Sequence, residues 1–201
     1  MAWDTARTKR LLLEAAVEEF AEHGPLGARV DRVAAAAKVN KERIYQYFGG
    51  KEQLFTAVLE AELAKAAAAA PLPRAGEGDL GDFAGLLFDY HLAHPHLLRL
   101  LSWEGLRDGR VPAVAESERT AHYLDKAAAI TALQNSGTVT ADFPPGRLFC
   151  AAFALATWWL TMPQLARMAL TGTDDSPEAT RATLVAMVRR LTSGQARECR
   201  S

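Results

Sequence analysis

The residues best equipped for chemistry lie close together. Lys41, Glu42, Arg43, Tyr45, Gln46 and Tyr47 fall within seven positions, with Arg29 upstream and Lys51 downstream. None of them forms a nucleophile–base pair. They are the side chains that read nucleic acid. An arginine fork pairs with guanine O6 and N7, and a glutamine amide matches adenine N6 and N7. Glu42 could accept from cytosine N4 or orient Arg43 or Lys41. Tyr45 and Tyr47, two residues apart, point in different directions, and one or both hydroxyls suit the DNA backbone. Arg29, like Arg7, Lys9 and Arg10, is a candidate phosphate clamp. Lys51 opens a helix, where its ammonium and the free N–H groups together would hold a phosphate.

These groups need elements that present them. Val30, Val33, Ala34 and Ala37 recur at helical spacing, so one face of that segment is apolar. Lys38-Val39-Asn40 interrupts the repeat, and Asn40 is a good N-cap for the next helix. That helix, Lys41 to Phe48, turns Ile44 and Phe48 inward and Lys41, Glu42, Arg43, Gln46 and Tyr47 outward. It is too short to hold itself in water and must dock. A short docked helix with a polar face after a tight turn is a helix-turn-helix reading head.

From about Arg7 to Leu59 the sequence resembles the N-terminal domain of the TetR family of bacterial transcriptional regulators. The resemblance is carried by Leu12-Leu13-Glu14-Ala15-Ala16, Phe20-Ala21-Glu22-His23-Gly24, Val33-Ala34, Ala37-Lys38-Val39-Asn40-Lys41, Ile44-Tyr45-Gln46-Tyr47-Phe48, Lys51-Glu52 and Leu54-Phe55. Four positions depart from the family's pattern. Lys38 stands where a turn glycine is common. Ala28 stands where a threonine often contacts phosphate. Glu42-Arg43 replaces a small pair, and Gly50 replaces a small polar cap. The resemblance implies a homodimeric, DNA-binding regulator, most often a repressor that a small molecule releases from its operator. Its double-stranded operator is expected to be palindromic, with half-sites about 34–36 Å apart or a multiple of that.

Composition agrees with the expected fold. Nearly half of the 201 residues are hydrophobic, Ala and Leu dominate, and β-branched residues are sparse. An all-α protein of about nine helices follows. Overall charge is −1, which argues against non-specific polyanion binding by the whole molecule. Residues 1–51 carry nine Lys and Arg against seven Asp and Glu, so that segment is slightly basic and the remainder acidic. The start, MAWDTARTKR, lacks an apolar targeting segment, so a cytoplasmic location is expected. The apolar run from Leu148 to Leu160 is too short to span a bilayer, and no membrane partner is expected.

Residues 1–50 are expected to form the DNA-binding domain and residues 51–201 a regulatory and dimerisation domain, with a connector helix over 51–70. Gly24-Pro25 should end the first helix. Pro71 and Pro73 open a loop to 79. Further helices are expected over 80–94, 95–106, 112–134, 145–162 and 177–193. Arg107-Asp108-Gly109 and Gln164 to Leu170 read as turns. The fifth to eighth helices could enclose a ligand pocket walled by Trp103, Tyr123 and Phe153 with Arg119 or His122 as polar anchors. The helix over 145–162 is apolar nearly all round and demands cover on every face. Two-fold packing of the eighth and ninth helices against their mates would supply it through Leu155, Trp158, Trp159, Leu184 and Val188. Which tryptophan faces the partner is open.

Other chemistry finds little support. His91, His94 and His96 near Asp89 lack ligand spacing, Pro95 intervening, so no metal and no cofactor are expected. Cys150 lies in an apolar stretch and is expected to be a buried thiol; Cys199 lies in a polar tail. An enzyme on a helical bundle is a rival, but paired carboxylates, a phosphate loop and a nucleophile–base set are all missing. A DNA-binding regulator with a solid core and no ligand is the second rival.

Overall fold

The computed structural model describes residues 2–106 and 113–194, and side chains from Asp4 onward. The turn at 107–109, the helix start at Pro112 and Cys199 lie outside the described residues. Among these residues there are ten helices and no strand: α1 Ala2–Gly27, α2 Val30–Ala37, α3 Glu42–Phe48, α4 Lys51–Ala69, α5 Leu80–Ala93, α6 Pro95–Gly105, α7 Glu116–Asn135, α8 Pro145–Thr161, α9 Pro163–Ala169 and α10 Pro177–Thr192. The segment after Pro163, expected as a turn, is α9. Proline at its first position costs no hydrogen bond, because a first-turn N–H has no intrahelical acceptor.

The chain forms two compact units. The first comprises residues 1–65 and 94–116; the second comprises 66–93 and 117–201. Packing thus divides the chain after Lys65, within α4, and not after residue 50. It also assigns α6 to the first unit.

The first unit is built on Leu12, Phe20, Val33, Ile44, Leu54, Phe55, Val58 and Leu59, all essentially inaccessible. The Phe20 and Phe55 rings meet edge-on at 5.2 Å, a favourable aromatic geometry. α6 adds Leu97, Leu98 and Leu100 to the buried set. Leu101, next to the buried Leu100, is half-buried. Helix geometry in α1 breaks at Gly24, at φ 65° and ψ 172°, a region essentially closed to residues with a β-carbon. The Trp103 indole lies where that β-carbon would stand, only 2.7 Å away. Its Nε1–H donates to the Ala21 carbonyl at 3.2 Å. Gly24 therefore provides both the bend and the space.

In the second unit α5, α8 and α10 bury their apolar faces together, with Ile130 and Leu133 of α7. Leu80, Phe83, Ala84, Ala152, Ala156, Leu184 and Val188 are at its centre. At the exposed rim of this core Arg181 grips Asp89 at 2.8 Å, and Arg189 spans Asp79 and Asp82 at 2.8 and 2.7 Å. No single helix among the described residues is long and apolar enough to cross a membrane; α8 and α9 are bent by 89°.

Candidate functional site

The turn between α2 and α3 has a defined closure. Val39 N–H donates to the Ala34 carbonyl at 3.0 Å and Lys38 N–H to that of Ala35 at 3.1 Å. This is the Schellman arrangement, whose left-handed residue is usually glycine. Here it is Lys38, at φ 54° and ψ 41°. The sequence's departure from a turn glycine is thus accommodated at the cost of a strained backbone. Asn40 then caps α3, its Oδ1 accepting from Glu42 N–H at 3.0 Å.

Ile44 is completely buried and anchors α3, while Phe48 is half-buried. Lys41, Glu42, Arg43 and Gln46 are exposed, and Tyr45 is 54 % exposed. Tyr47 is half-buried instead of fully outward. Lys9 Nζ and Arg43 Cζ lie 5.6 and 5.9 Å from its ring centroid, so its π face meets two cations. Arg43 Nη1 donates to Gln46 Oε1 at 2.6 Å, one helical turn away. Lys41 Nζ sits 3.1 Å from Asp31 Oδ1, and this hydrogen bond raises its pKa.

A carboxylate ties the face to α1. Glu19 Oε1 accepts from Arg29 N–H at 2.7 Å, and Arg32 Nε reaches both oxygens at 2.8 and 2.9 Å. Burial alone would raise the Glu19 pKa. The Arg32 hydrogen bonds and the Arg29 N–H outweigh it and hold the carboxyl below its ordinary value. The exposed Arg29 side chain is thereby fixed at its root. Glu19 and Arg32 were absent from the sequence-based set because their role depends on a contact between helices.

Lys51, expected to hold a phosphate, has its ammonium on the backbone. Its ammonium donates to the Leu26 and Ala28 carbonyls at 3.2 and 3.3 Å. It fastens the start of α4 to the α1–α2 connection, where unsatisfied carbonyls attract a cation.

The residues expected around a ligand divide. Tyr123 and Phe153 line an open cleft of about 490 Å³ between α7 and α8, with Leu124, Ala127, Phe149 and Cys150. Trp103 is not part of it: it belongs to the first unit, held by Ala21 and Gly24. Helical spacing showed Trp103 on an apolar face but not which apolar partner would claim that face. His122 is exposed with its ring 6.3 Å from that of Tyr123, and Arg119 is half-buried on the same helix; neither lines the cleft. Cys150 is exposed at the cleft, not a core thiol. His91 is buried against Phe153, with ring centroids 6.0 Å apart. His94 and His96 belong to the first unit, where His96 Nε2 is 2.8 Å from Glu62 Oε2. Among the described residues no three His, Cys, Asp or Glu gather to hold a metal ion.

The expected dimer residues also divide. Leu184 and Val188 are 0 % exposed inside their own chain and cannot also meet a partner; the apolar stripe of α10 is spent on α5 and α8. Trp159 and Leu155 are half-buried against that core, whereas Trp158 is 37 % exposed. Met162, Leu165, Met168 and Met187 add further exposed apolar surface.

Two family models match the chain. Residues 12–58 match "Bacterial regulatory proteins, tetR family" and residues 79–190 match "Tetracyclin repressor-like, C-terminal domain". The HTH-type transcriptional repressor SCO4008 of Streptomyces coelicolor is 40 % identical over 190 residues, covering 94 % of this chain and 97 % of its own. The HTH-type transcriptional repressor NicS of Pseudomonas putida is 37 % identical over 107 residues, about half of either chain. Among solved structures, a transcriptional regulator from S. coelicolor described as putative, SCO4942, has a TM-score of 0.81 at 34 % identity, covering 92 % of this chain and 98 % of its own. A TetR family regulator from Marinobacter aquaeolei shares the fold, with a TM-score of 0.75 at 20 % identity over 97 % of this chain and 100 % of its own. With both parts matched and a relative alike over nearly its whole length, the chain belongs to the TetR family of bacterial transcriptional regulators, DNA-binding proteins and not enzymes.

Proposed function

We propose that this regulator is a homodimeric repressor that reads a palindromic operator through α3 and leaves it when a small molecule enters the α7–α8 cleft. The observation that carries the reading is the presentation of α3. Buried Ile44 anchors it while Lys41, Glu42, Arg43, Tyr45 and Gln46 face water after a closed left-handed turn. Arg43 makes the base contact, exchanging its Gln46 partner for guanine, and Gln46 is released towards adenine. Tyr47 aligns Arg43 through its ring. Tyr45 and Arg29 take phosphates, and Lys51 fixes the α4 start that stands beside them.

The partner copy covers the outer face of α8 around Trp158, with Leu155 and Trp159 beneath it. Two heads related by a two-fold require inverted half-sites. The apolar cleft supports a ligand, and the likeness to the repressor SCO4008 supports the direction of control. Ligand action is bounded by its differential affinity for the bound and released states.

Selection from a random DNA pool tests this reading. Wild type should recover an inverted repeat. Arg43→Ala should lose preference at one position per half-site, at about 1–3 kcal/mol per contact. Trp158→Glu should sediment as a folded monomer with weak operator binding, and Trp159→Glu should unfold the second unit. Recovery of a single asymmetric half-site, or a fully dimeric Trp158→Glu, would refute the dimer described here.

A further inference from the structure

No residue lining the α7–α8 cleft is charged. Its wall nevertheless has a charge behind it. Lys126, one residue before the lining Ala127, reaches inward from α7, half-buried. Its Nζ lies 5.7 Å from the ring centroid of Phe149, a lining residue, and 5.4 Å from that of Phe83 in the core beneath. Among the described residues it has no carboxylate partner. Burial holds its pKa below that of an ordinary lysine, and no acidic neighbour offsets this.

The placement is unusual for what surrounds it. Three arginines that bridge helices among the described residues have carboxylate partners: Arg32 has Glu19, Arg181 has Asp89, and Arg189 has Asp79 and Asp82. Two phenyl faces compensate an ammonium only in part, since a ring quadrupole is weaker than a full counter-charge. A half-desolvated cation beside an open apolar cleft is therefore a seat for an anion. A cleft of about 490 Å³ is of a size that admits a small organic molecule. The Phe149 ring links the two features, because a body stacked on it within the cleft brings a terminal group within reach of the flexible Lys126 side chain.

We propose that the cleft selects an aromatic or otherwise apolar carboxylate, its body between Tyr123, Phe149 and Phe153 and its anionic head paired with Lys126. The inference rests on the reading of this cleft as the ligand site. The apolar walls set affinity for the body, and Lys126 sets preference for negative charge.

Three matched probes separate these roles by calorimetry on the full chain: 2-naphthoate, 2-naphthamide and 2-naphthylmethylammonium. Wild type should bind the carboxylate at least about tenfold more tightly than the amide, with the ammonium weakest. Lys126→Met should remove that preference, weakening the carboxylate far more than the amide; Lys126→Gln serves if the methionine variant loses its helical circular dichroism. Ala127→Phe, which fills the cleft, should weaken all three probes together. Equal binding of carboxylate and amide by wild type, or a preference that survives Lys126→Met, overturns the charge assignment while leaving the cleft as the ligand site. Failure of every probe to bind, or binding indifferent to Ala127→Phe, overturns both.

Discussion

Gly24→Ala tests how α1 is joined to α6. The substitution adds one methyl group and no charge. Its backbone, at φ 65° and ψ 172°, lies in a region that costs a residue with a β-carbon about 1–3 kcal/mol. The new carbon would also stand 2.7 Å from Trp103 Cδ2, 2.9 Å from Cε3 and 3.0 Å from Cε2. The flat indole cannot yield by rotating a flexible end. Moving it breaks the Nε1–H bond to Ala21, a further ~1 kcal/mol. Together the loss should be about 2–4 kcal/mol. Urea unfolding followed by circular dichroism, at one fixed protein concentration, measures it. Gly27→Ala is the control: its β-carbon would meet nothing nearer than His23 Cβ at 3.5 Å, so it should stay within about 0.5 kcal/mol of wild type. In Gly24→Ala/Trp103→Ala the collision vanishes but the backbone strain remains. The double variant should therefore lose about 1–2 kcal/mol less than the two single losses added. Strict additivity, or a Gly24→Ala protein as stable as Gly27→Ala, would refute the close approach.

Lys38→Gly should stabilise the reading head by about 0.5–1 kcal/mol, because the left-handed strain relieved exceeds the entropy glycine adds to the unfolded chain; a lower unfolding midpoint would refute this. Stability should fall in acid: the Glu19 and Glu62 carboxyls are held below their ordinary pKa values, so their stabilisation is complete above the unfolded value, about 4.3, and is lost as pH falls through the lower folded values. Glu19→Gln should be less stable than wild type at neutral pH, and the gap should close on acidification; a gap constant with pH would show that ionisation is not involved. Cys150 should react with a maleimide in the folded protein when Cys199 is replaced by serine, and a ligand filling the cleft should slow that labelling; a thiol inert until urea is added would refute its exposure.

What was legible in the sequence was whatever repeats along a helix or punctuates one. Leu12, Phe20, Val33 and Ile44 declare a buried face by their spacing, Asn40 declares a cap, and Gly24-Pro25 declares a break, which is a bend inside α1 and not its end. Arg43 and Gln46 were legible as an exposed polar face because Ile44 fixes the opposite side of α3. Partner choice was not legible. Periodicity marks Leu184 and Val188 as apolar without saying whether their own chain or a second copy covers them, and Trp103 failed for the same reason. The settings of Lys51 and Cys150 were hidden for another reason: a lysine can swing onto backbone carbonyls, and an apolar neighbourhood in sequence does not bury every side of a helix.

The first unit is not one stretch of chain. Leu97, Leu98, Leu100 and Trp103 complete its interior, yet residues 66–93 of the second unit are synthesised before them. On the ribosome, the reading head must wait with the α1 surface around Gly24 uncovered until α6 emerges. Domains generally fold as whole units, so this one should consolidate late, although it begins the chain. The same order constrains modular exchange. A chimaera made by a single crossover after residue 65 would pair this head with a foreign α6, whose side chain at position 103 must still lie flat over Gly24. Heads can be traded intact between relatives only with three crossovers, after 65, 93 and 116, that carry 94–116 along. The DNA-reading head and the second unit are therefore not free to recombine at one seam.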